Sequence, residues 1–116
     1  MTTTRSMLAT IAACLLLSGT AHSHTQLSSS DPSDEAVLDA APTEVQLRFS
    51  EAVRLTAVSV TKGDETTSLD IEVAGPAAEF AVGLPELAPG EYVVEWRALS
   101  QDTHVVSGKI RFSIAT

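Results

Sequence analysis

The sequence has little cysteine, methionine or histidine, the residues whose side chains bind transition metals most tightly. Its 116 residues include one cysteine, Cys14, and two methionines. A single cysteine excludes an internal disulfide framework and any cluster of thiolate metal ligands. The three histidines are His22, His24 and His104. Because histidines are this few, we look for chemistry at them first.

Basic residues are also few. Seven lysines and arginines stand against fifteen aspartates and glutamates, which gives a formal charge of −8. An acidic chain of this kind is a poor candidate for binding nucleic acid or an anionic lipid surface. Its length allows one domain.

The sequence has no apolar run long enough to span a bilayer, which takes about 20 residues. The longest stretch of apolar and small residues, Met7–Leu17, follows Arg5, the only charged residue before it, and precedes small and polar residues at 18–23. This order is typical of a secretory signal peptide. We expect residues 1–23 to be the signal peptide and 24–116 to be the domain, with cleavage between Ser23 and His24.

Two other readings of this region stay open. Cleavage after Ala21 would begin the chain at His22, and the residues around Cys14 resemble a lipoprotein cleavage box. Cleavage after Ser23 would remove Cys14 and both methionines, and it would leave a domain with six basic and fifteen acidic residues. The domain would then contain no soft metal ligand.

The rest of the sequence predicts short strands separated by proline and glycine turns. Alternation of apolar and polar residues, typical of half-buried antiparallel strands, occurs in Thr43–Ser50, Gly90–Leu99 and Gly108–Ala115. Weaker strands are expected at His24–Ser29, Leu55–Thr61, Thr67–Val73 and Ala78–Leu84. Only Asp34–Ala40 is a candidate for a short helix. The pattern predicts an all-β, seven-stranded, immunoglobulin-like Greek-key sandwich or barrel without a disulfide.

Three residues could form a metal site. A mature N-terminal His24 would offer its amine and its imidazole together, which can chelate one ion. Asp102 and His104 are two apart, so in extended chain they face the same side. Nitrogen and oxygen donors of this kind suit Cu(II), although Zn(II) could use similar ligands. Alternatively, His104 is a solvated turn residue and Asp102 only shapes the turn.

These residues belong to a longer pattern that resembles the CopC-type copper-resistance domain. The resemblance covers His24 to Thr116, and the fragments are fairly specific as an ordered set. The pieces that carry it are His24-Thr25-Gln26-Leu27, Asp31-Pro32, Ala41-Pro42, Val45-Gln46-Leu47-Arg48-Phe49-Ser50-Glu51, Leu87-Ala88-Pro89-Gly90-Glu91-Tyr92, Trp96, Ser100-Gln101-Asp102-Thr103-His104, Gly108 and Phe112.

The resemblance implies a monomeric, secreted or periplasmic β-sandwich that binds one Cu(II) ion and is not an enzyme. It implies that His24, Asp102 and His104 hold the ion, and that an inner-membrane copper transporter of the CopD type is a partner. Some family members carry a second, methionine-rich Cu(I) site in a mid-chain loop. Residues 61–84 contain neither methionine nor histidine, so this chain resembles the Cu(II)-only type.

Three other interpretations remain open at this stage. The ligand set also resembles that of copper monooxygenases with an N-terminal histidine, which are larger enzymes. A metal-free sandwich could serve as an interaction module. A chain that begins at His22 would have His24 in third position, where a histidine with a free amine can bind Cu(II) through backbone nitrogens without His104.

Overall fold

The structure is a computed structural model and describes residues 26–72 and 75–116. The described residues form seven β-strands: β1 Leu27–Asp31, β2 Ala36–Leu38, β3 Glu44–Lys62, β4 Glu65–Ser68, β5 Ala77–Gly83, β6 Gly90–Leu99 and β7 Val105–Ile114. The prediction of an all-β fold is therefore confirmed. No helix in these two ranges is long and apolar enough to cross a membrane.

The long strand β3 organises the fold because it takes part in both halves of a curled sheet. Its first part, residues 44–53, pairs antiparallel with β1 on one side and β5 on the other. Its second part, residues 54–62, pairs antiparallel with β6 and β4. Strand β7 adds to β6, and the short β2 adds parallel to β7. The seven strands thus form one hydrogen-bonded network through β3.

The apolar pattern of β3 explains how one strand serves both halves. Its buried side chains occupy odd positions up to Leu55 and even positions from Val58 onward. A register shift between Leu55 and Ala57 leaves Thr56 as an extra residue, whose Oγ1 donates a hydrogen bond of 3.0 Å to the Arg97 carbonyl. A β-bulge of this kind bends a strand and increases its twist. The separate strands predicted at Thr43–Ser50 and Leu55–Thr61 are therefore one bent strand, β3.

The core collects inward-facing apolar side chains from both halves. Its buried members are Val45, Leu47, Phe49, Val53, Leu55, Val58, Val60, Val82, Tyr92, Val94, Trp96, Ala98, Ile110, Phe112 and Ile114. The rings of Phe49 and Trp96 meet edge to face with centroids 5.0 Å apart, which joins the first part of β3 to β6. Trp96 also lies over Gly108 of β7, where any Cβ atom would come within 2.7 Å of the indole ring.

One secondary-structure prediction was wrong. The candidate short helix at Asp34–Ala40 contains the strand β2, whose residues Ala36–Leu38 pair with Phe112–Ile114. Asp34 Oδ1 accepts the Arg111 N–H at 2.8 Å, which ties the segment to the open edge of β7. Ala36 and Leu38 pack on the core. The tertiary pairing overrides the weak helical preference of so short a segment.

Other predicted strands differ from the observed ones at their ends. The predicted strand Thr67–Val73 overlaps the observed β4, Glu65–Ser68, at Thr67 and Ser68, and Leu69 then packs against the core. Val73 lies outside the described residues. Strand β7 begins at Val105, three residues before the predicted Gly108. The immunoglobulin-like Greek-key arrangement stays a prediction, because the hydrogen bonds connect all strands through β3 and do not define two separate sheets.

Candidate metal centre

The candidate site lies on the turn between β6 and β7. These strands form a regular antiparallel hairpin from the pair Gly90–Ile114 to the pair Leu99–Val105, and Ser100–His104 connect them. The Ser100 N–H donates to the His104 carbonyl at 2.9 Å, and the Thr103 N–H donates to the Ser100 carbonyl at 3.0 Å. Thr103 has a positive φ of 66°, which turns the chain back into β7. The turn therefore holds Asp102 and His104 close to each other.

Ser100 fixes this turn from inside. It is 8% exposed, and it is the buried polar residue at the end of β6. Its hydroxyl donates to Oδ1 of Asp102 and accepts the His104 N–H at 3.2 Å. The sequence motif contains Ser100, but reasoning from residue types gave it no role. A serine two residues before an aspartate, at the end of a predicted strand, was the available signal.

Asp102 and His104 form the polar pair of the site. Oδ2 of Asp102 lies 3.0 Å from Nδ1 of His104, and the two side chains are 68% and 71% exposed. The hydrogen bond from Ser100 lowers the pKa of Asp102 below its ordinary value; His104 also lowers it, and some desolvation opposes the shift. The carboxylate is therefore ionised at neutral pH, and an incoming ion can reach both side chains from solvent.

The residue before β1 and the end of β6 both bond to β3. Gln26 exchanges hydrogen bonds with Ser50, since its N–H donates to Ser50 Oγ at 3.1 Å and its carbonyl accepts the Ser50 N–H at 2.9 Å. Leu99, next to the turn, pairs with Arg54. Ser50 and Arg54 are four positions apart on β3, which is about 13 Å in an extended strand.

Of the three predicted ligands, the structure brings Asp102 and His104 together. His24 lies outside the described residues, two positions before Gln26. Within 26–72 and 75–116, no group of three or more histidine, cysteine, aspartate or glutamate side chains could hold a metal ion. The described part of the chain thus contains an exposed Asp102–His104 pair, and a metal site built on this pair would need at least one further ligand.

Comparison with known proteins identifies the family. Residues 27–115 match the family model of the CopC domain. The chain is 36% identical to copper resistance protein C of Pseudomonas syringae pv. tomato over 115 residues, which covers 89% of this chain and 90% of the relative. It is 34% identical to copper resistance protein C of Xanthomonas campestris pv. juglandis, with 88% of each chain covered.

Solved structures agree with the sequence relatives. The crystal structure of CopC from Methylosinus trichosporium OB3b matches with a TM-score of 0.70 and 32% identity, over 79% of this chain and 94% of that one. PcoC, described as a methionine-rich copper resistance protein from Escherichia coli, matches with a TM-score of 0.58 and 31% identity, over 79% and 99%. From the family match and these relatives together, the chain belongs to the CopC domain family.

Proposed function

We propose that this chain is a secreted or periplasmic copper resistance protein that binds one Cu(II) ion and sequesters or delivers it. The adjacent Asp102 and His104 on the β6–β7 turn are the observation that carries the proposal. The curated relatives, which are named copper resistance proteins, support the metal. Family membership also agrees with the prediction that the chain is not an enzyme, since these relatives are resistance proteins.

In this proposal, His24 completes the donor set. Two residues of extended chain reach about 7 Å beyond Gln26, and a histidine side chain reaches farther. The separation to be bridged is the distance along β3 between Ser50, which bonds to Gln26, and Arg54, which pairs with Leu99 next to the turn. The reach of residues 24 and 25 and of the side chains of His24 and His104 is comparable to this distance. An N-terminal His24 would supply its amine and imidazole, and His104 and Asp102 would supply a third nitrogen and an oxygen. This mixture of donors suits Cu(II).

The contact between Asp102 and His104 holds the two proposed ligands next to each other before an ion binds. Nδ1 of His104 faces Oδ2 of Asp102, and a carboxylate in that position cannot bind the same ion as Nε2 on the other side of the ring. For Asp102 to supply its oxygen, the contact with Nδ1 must therefore open when the ion binds. Asp102 also brings a negative charge that offsets the charge of the ion.

Cu(I) is not expected to bind, because soft thioether and thiolate ligands select it and residues 24–116 contain no methionine or cysteine. The Escherichia coli relative is described as methionine-rich, so the two proteins differ in this respect.

Residues 1–23 are the proposed signal peptide. We further propose a monomer whose partner is an inner-membrane transporter of the CopD type.

The proposal includes an immunoglobulin-like Greek-key arrangement of the two halves of the sheet. Tyr92, at the start of β6, donates its hydroxyl hydrogen to the carbonyl of Ala88, four residues upstream. A tyrosine that bonds back across a corner in this way is a hallmark of immunoglobulin-like sandwiches. This contact supports the assignment.

A titration of residues 24–116 with Cu(II) tests the function. The wild-type protein should bind one ion, and electron paramagnetic resonance should report nitrogen ligands. His104→Ala should lower the affinity about 100-fold. Loss of an outer-shell partner of a metal ligand already lowers affinity about 10-fold to 100-fold, and this variant removes a ligand itself. One glycine added before His24 should have a similar effect because it removes the amine. Gln101→Ala, in the same exposed turn, is the matched control and should leave the affinity unchanged.

The pH dependence of binding provides a second test. Both imidazoles and the amine must lose their protons to bind, and their reference pKa values are about 6.5 and about 7.7–8.0. The affinity should therefore fall as the pH drops below neutral. Equal affinity at pH 5 and pH 7.5, or full affinity in His104→Ala, would show that the ligand set is wrong.

A further inference from the structure

The outer face of β3, β6 and β7 collects most of the positive charge of this acidic chain. Four of the six basic residues between His24 and Thr116 lie on it. We call this surface the basic face and define it by Arg54, Arg97, Lys109 and Arg111. Glu91 and Glu95 point outward from β6, and Asp34 and Glu35 bond to the backbone of Arg111 at one end of the face. Residues 54–62 of β3 and all of β7 carry no acidic residue, and the exposed Glu44 and Glu51 of β3 lie on its first part.

The register of the strands makes the basic face continuous. Arg97 lies opposite Ser107, and Lys109 and Arg111 follow on alternate positions of β7. Arg54 lies opposite Leu99 at the end nearest the turn. Residues that alternate along a strand point to the same side, and they recur about every 6.7 Å. The basic face therefore extends from Arg111 to the base of the Ser100–His104 turn, about 20 Å.

The arginines of this face are available to a partner. Lys109 lies 3.7 Å from Glu95, but in residues 26–72 and 75–116 the side chains of Arg54, Arg97 and Arg111 make no ion pair. Arg48, on the other half of the sheet, differs because it pairs with Glu79 at 3.5 Å. Because the rest of the chain is acidic, unpaired arginines on one face make the electrostatic potential of the protein more positive on that side than elsewhere.

The same face has a shape and an apolar contact that suit a polypeptide. A shallow groove of about 410 Å³ lies on this face, lined by the small residues Ala57, Ser59 and Ser107 together with Arg97, Lys109 and Glu95. Val105, two residues before Ser107 on β7, is 65% exposed and is one of two large apolar residues exposed on the described surface. Val105 follows His104 directly in the chain. A segment that leaves the groove past Ser107 and continues over Val105 would reach the turn.

We infer that the basic face docks an acidic segment of a partner protein next to the Asp102–His104 turn. Arginine binds carboxylates in a bidentate manner, and Val105 offers an apolar contact beside the charges. Complementary charge of this kind steers encounter and sets orientation more than it adds affinity. Docking needs no metal. Its use for exchanging copper with the partner rests on the proposed function.

A labelled twelve-residue peptide of alternating glutamate and leucine is the probe, and metal-free protein is titrated at 20 and at 150 mM NaCl. We expect the amide resonances of Arg97, Val105 and Ser107 to shift. Arg97→Glu should weaken binding about fivefold or more, and adding Arg54→Glu to this variant should weaken binding further. Arg48→Glu changes the net charge equally on the other half and should weaken binding less than twofold. Higher salt should reduce the difference.

Three results would overturn the inference: equal weakening by Arg97→Glu and Arg48→Glu, resonance shifts confined to other strands, or no binding at 20 mM NaCl. Sedimentation at several protein concentrations provides a further check. Self-association that Arg97→Glu abolishes would assign the face to a second copy of the chain and would also refute an acidic partner. Each variant should keep wild-type Cu(II) affinity, so a failed copper titration in wild type refutes the proposed function without affecting the peptide result.

Discussion

The body and the turn of the β6–β7 hairpin are built in opposite ways. In the body, inward side chains are buried, and the Trp96 ring fills the space that a side chain at position 108 would occupy. In the turn, Asp102 and His104 are about two-thirds exposed, and hydrogen bonds instead of packing determine their arrangement. One continuous hairpin thus combines a tightly packed region with a solvent-exposed polar region.

This difference separates stability from binding. Substitutions in the body change contacts in a close-packed core, where small changes in volume matter. Substitutions at the tip of the turn change few packed contacts, so the fold should tolerate them. Ser100 lies at the boundary, since it is buried like the body but donates its hydrogen bond to the turn. Three predictions test this separation.

The largest effect is expected from Gly108→Ala in the body. The new Cβ would come within 2.7 Å of the Trp96 ring, so the ring or the strand must shift. Overpacking of this kind destabilises a core by about 1–3 kcal/mol. Urea denaturation of the metal-free protein, followed by tryptophan fluorescence, measures the change. The affinity for Cu(II) of the folded protein should stay at the wild-type value.

Gly83→Ala is the matched control, because a Cβ atom at Gly83, the last residue of β5, meets nothing within 4 Å. It should change the free energy of unfolding by less than about 0.5 kcal/mol. If Gly108→Ala and Gly83→Ala had the same stability, close packing of Trp96 on β7 would not be what distinguishes the body of the hairpin.

Much of the body could be predicted from the sequence, because local alternation specifies a half-buried strand. Gly90–Leu99 was predicted with the bounds that the structure has. The merging of two predicted strands into β3 could not be foreseen, since it depends on a bulge at Thr56 and on a shared position between the two halves. Nor could β2, whose three residues form a strand only because β7 offers an edge.

For the site, the sequence predicted the proximity of Asp102 and His104 because residues two apart share one side of an extended chain. In the structure Asp102 Oδ2 and His104 Nδ1 are 3.0 Å apart. The chain there is a turn, with a positive φ at Thr103, and is not the extended strand that the prediction assumed. The role of Ser100 could not be predicted, because its burial depends on packing from distant strands. The role of His24 stays a prediction.

An intermediate effect is expected from Ser100→Ala at the boundary. It removes the hydroxyl that donates to Asp102 and accepts the His104 N–H, so unfolding should become easier by about 1 kcal/mol. If the proposed copper site is correct, the affinity for Cu(II) should fall about 10-fold to 100-fold, as for other outer-shell partners of metal ligands. Chemical denaturation and Cu(II) titration measure the two changes.

Two variants make that experiment specific. Ser107→Ala changes an exposed serine of the same hairpin and should alter neither quantity. Ser100→Thr keeps the hydroxyl and should recover most of the Cu(II) affinity. Unchanged affinity in Ser100→Ala with reduced stability would mean that Ser100 supports the hairpin without orienting the ligands.

The smallest effect is expected from pH, acting on the turn alone. Ser100 and His104 lower the pKa of Asp102 below 3.8, so folding favours the ionised carboxylate. Its contribution to stability is therefore present above pH 3.8 and is lost as the pH falls through the folded-state pKa. Metal-free Asp102→Asn should lack this contribution. The difference in unfolding free energy between wild type and Asp102→Asn should therefore shrink between pH 5 and pH 2.5, whereas the exposed control Asp64→Asn should follow wild type. Parallel curves for wild type and Asp102→Asn would show that the carboxylate does not couple to folding, and that the turn depends on the serine alone.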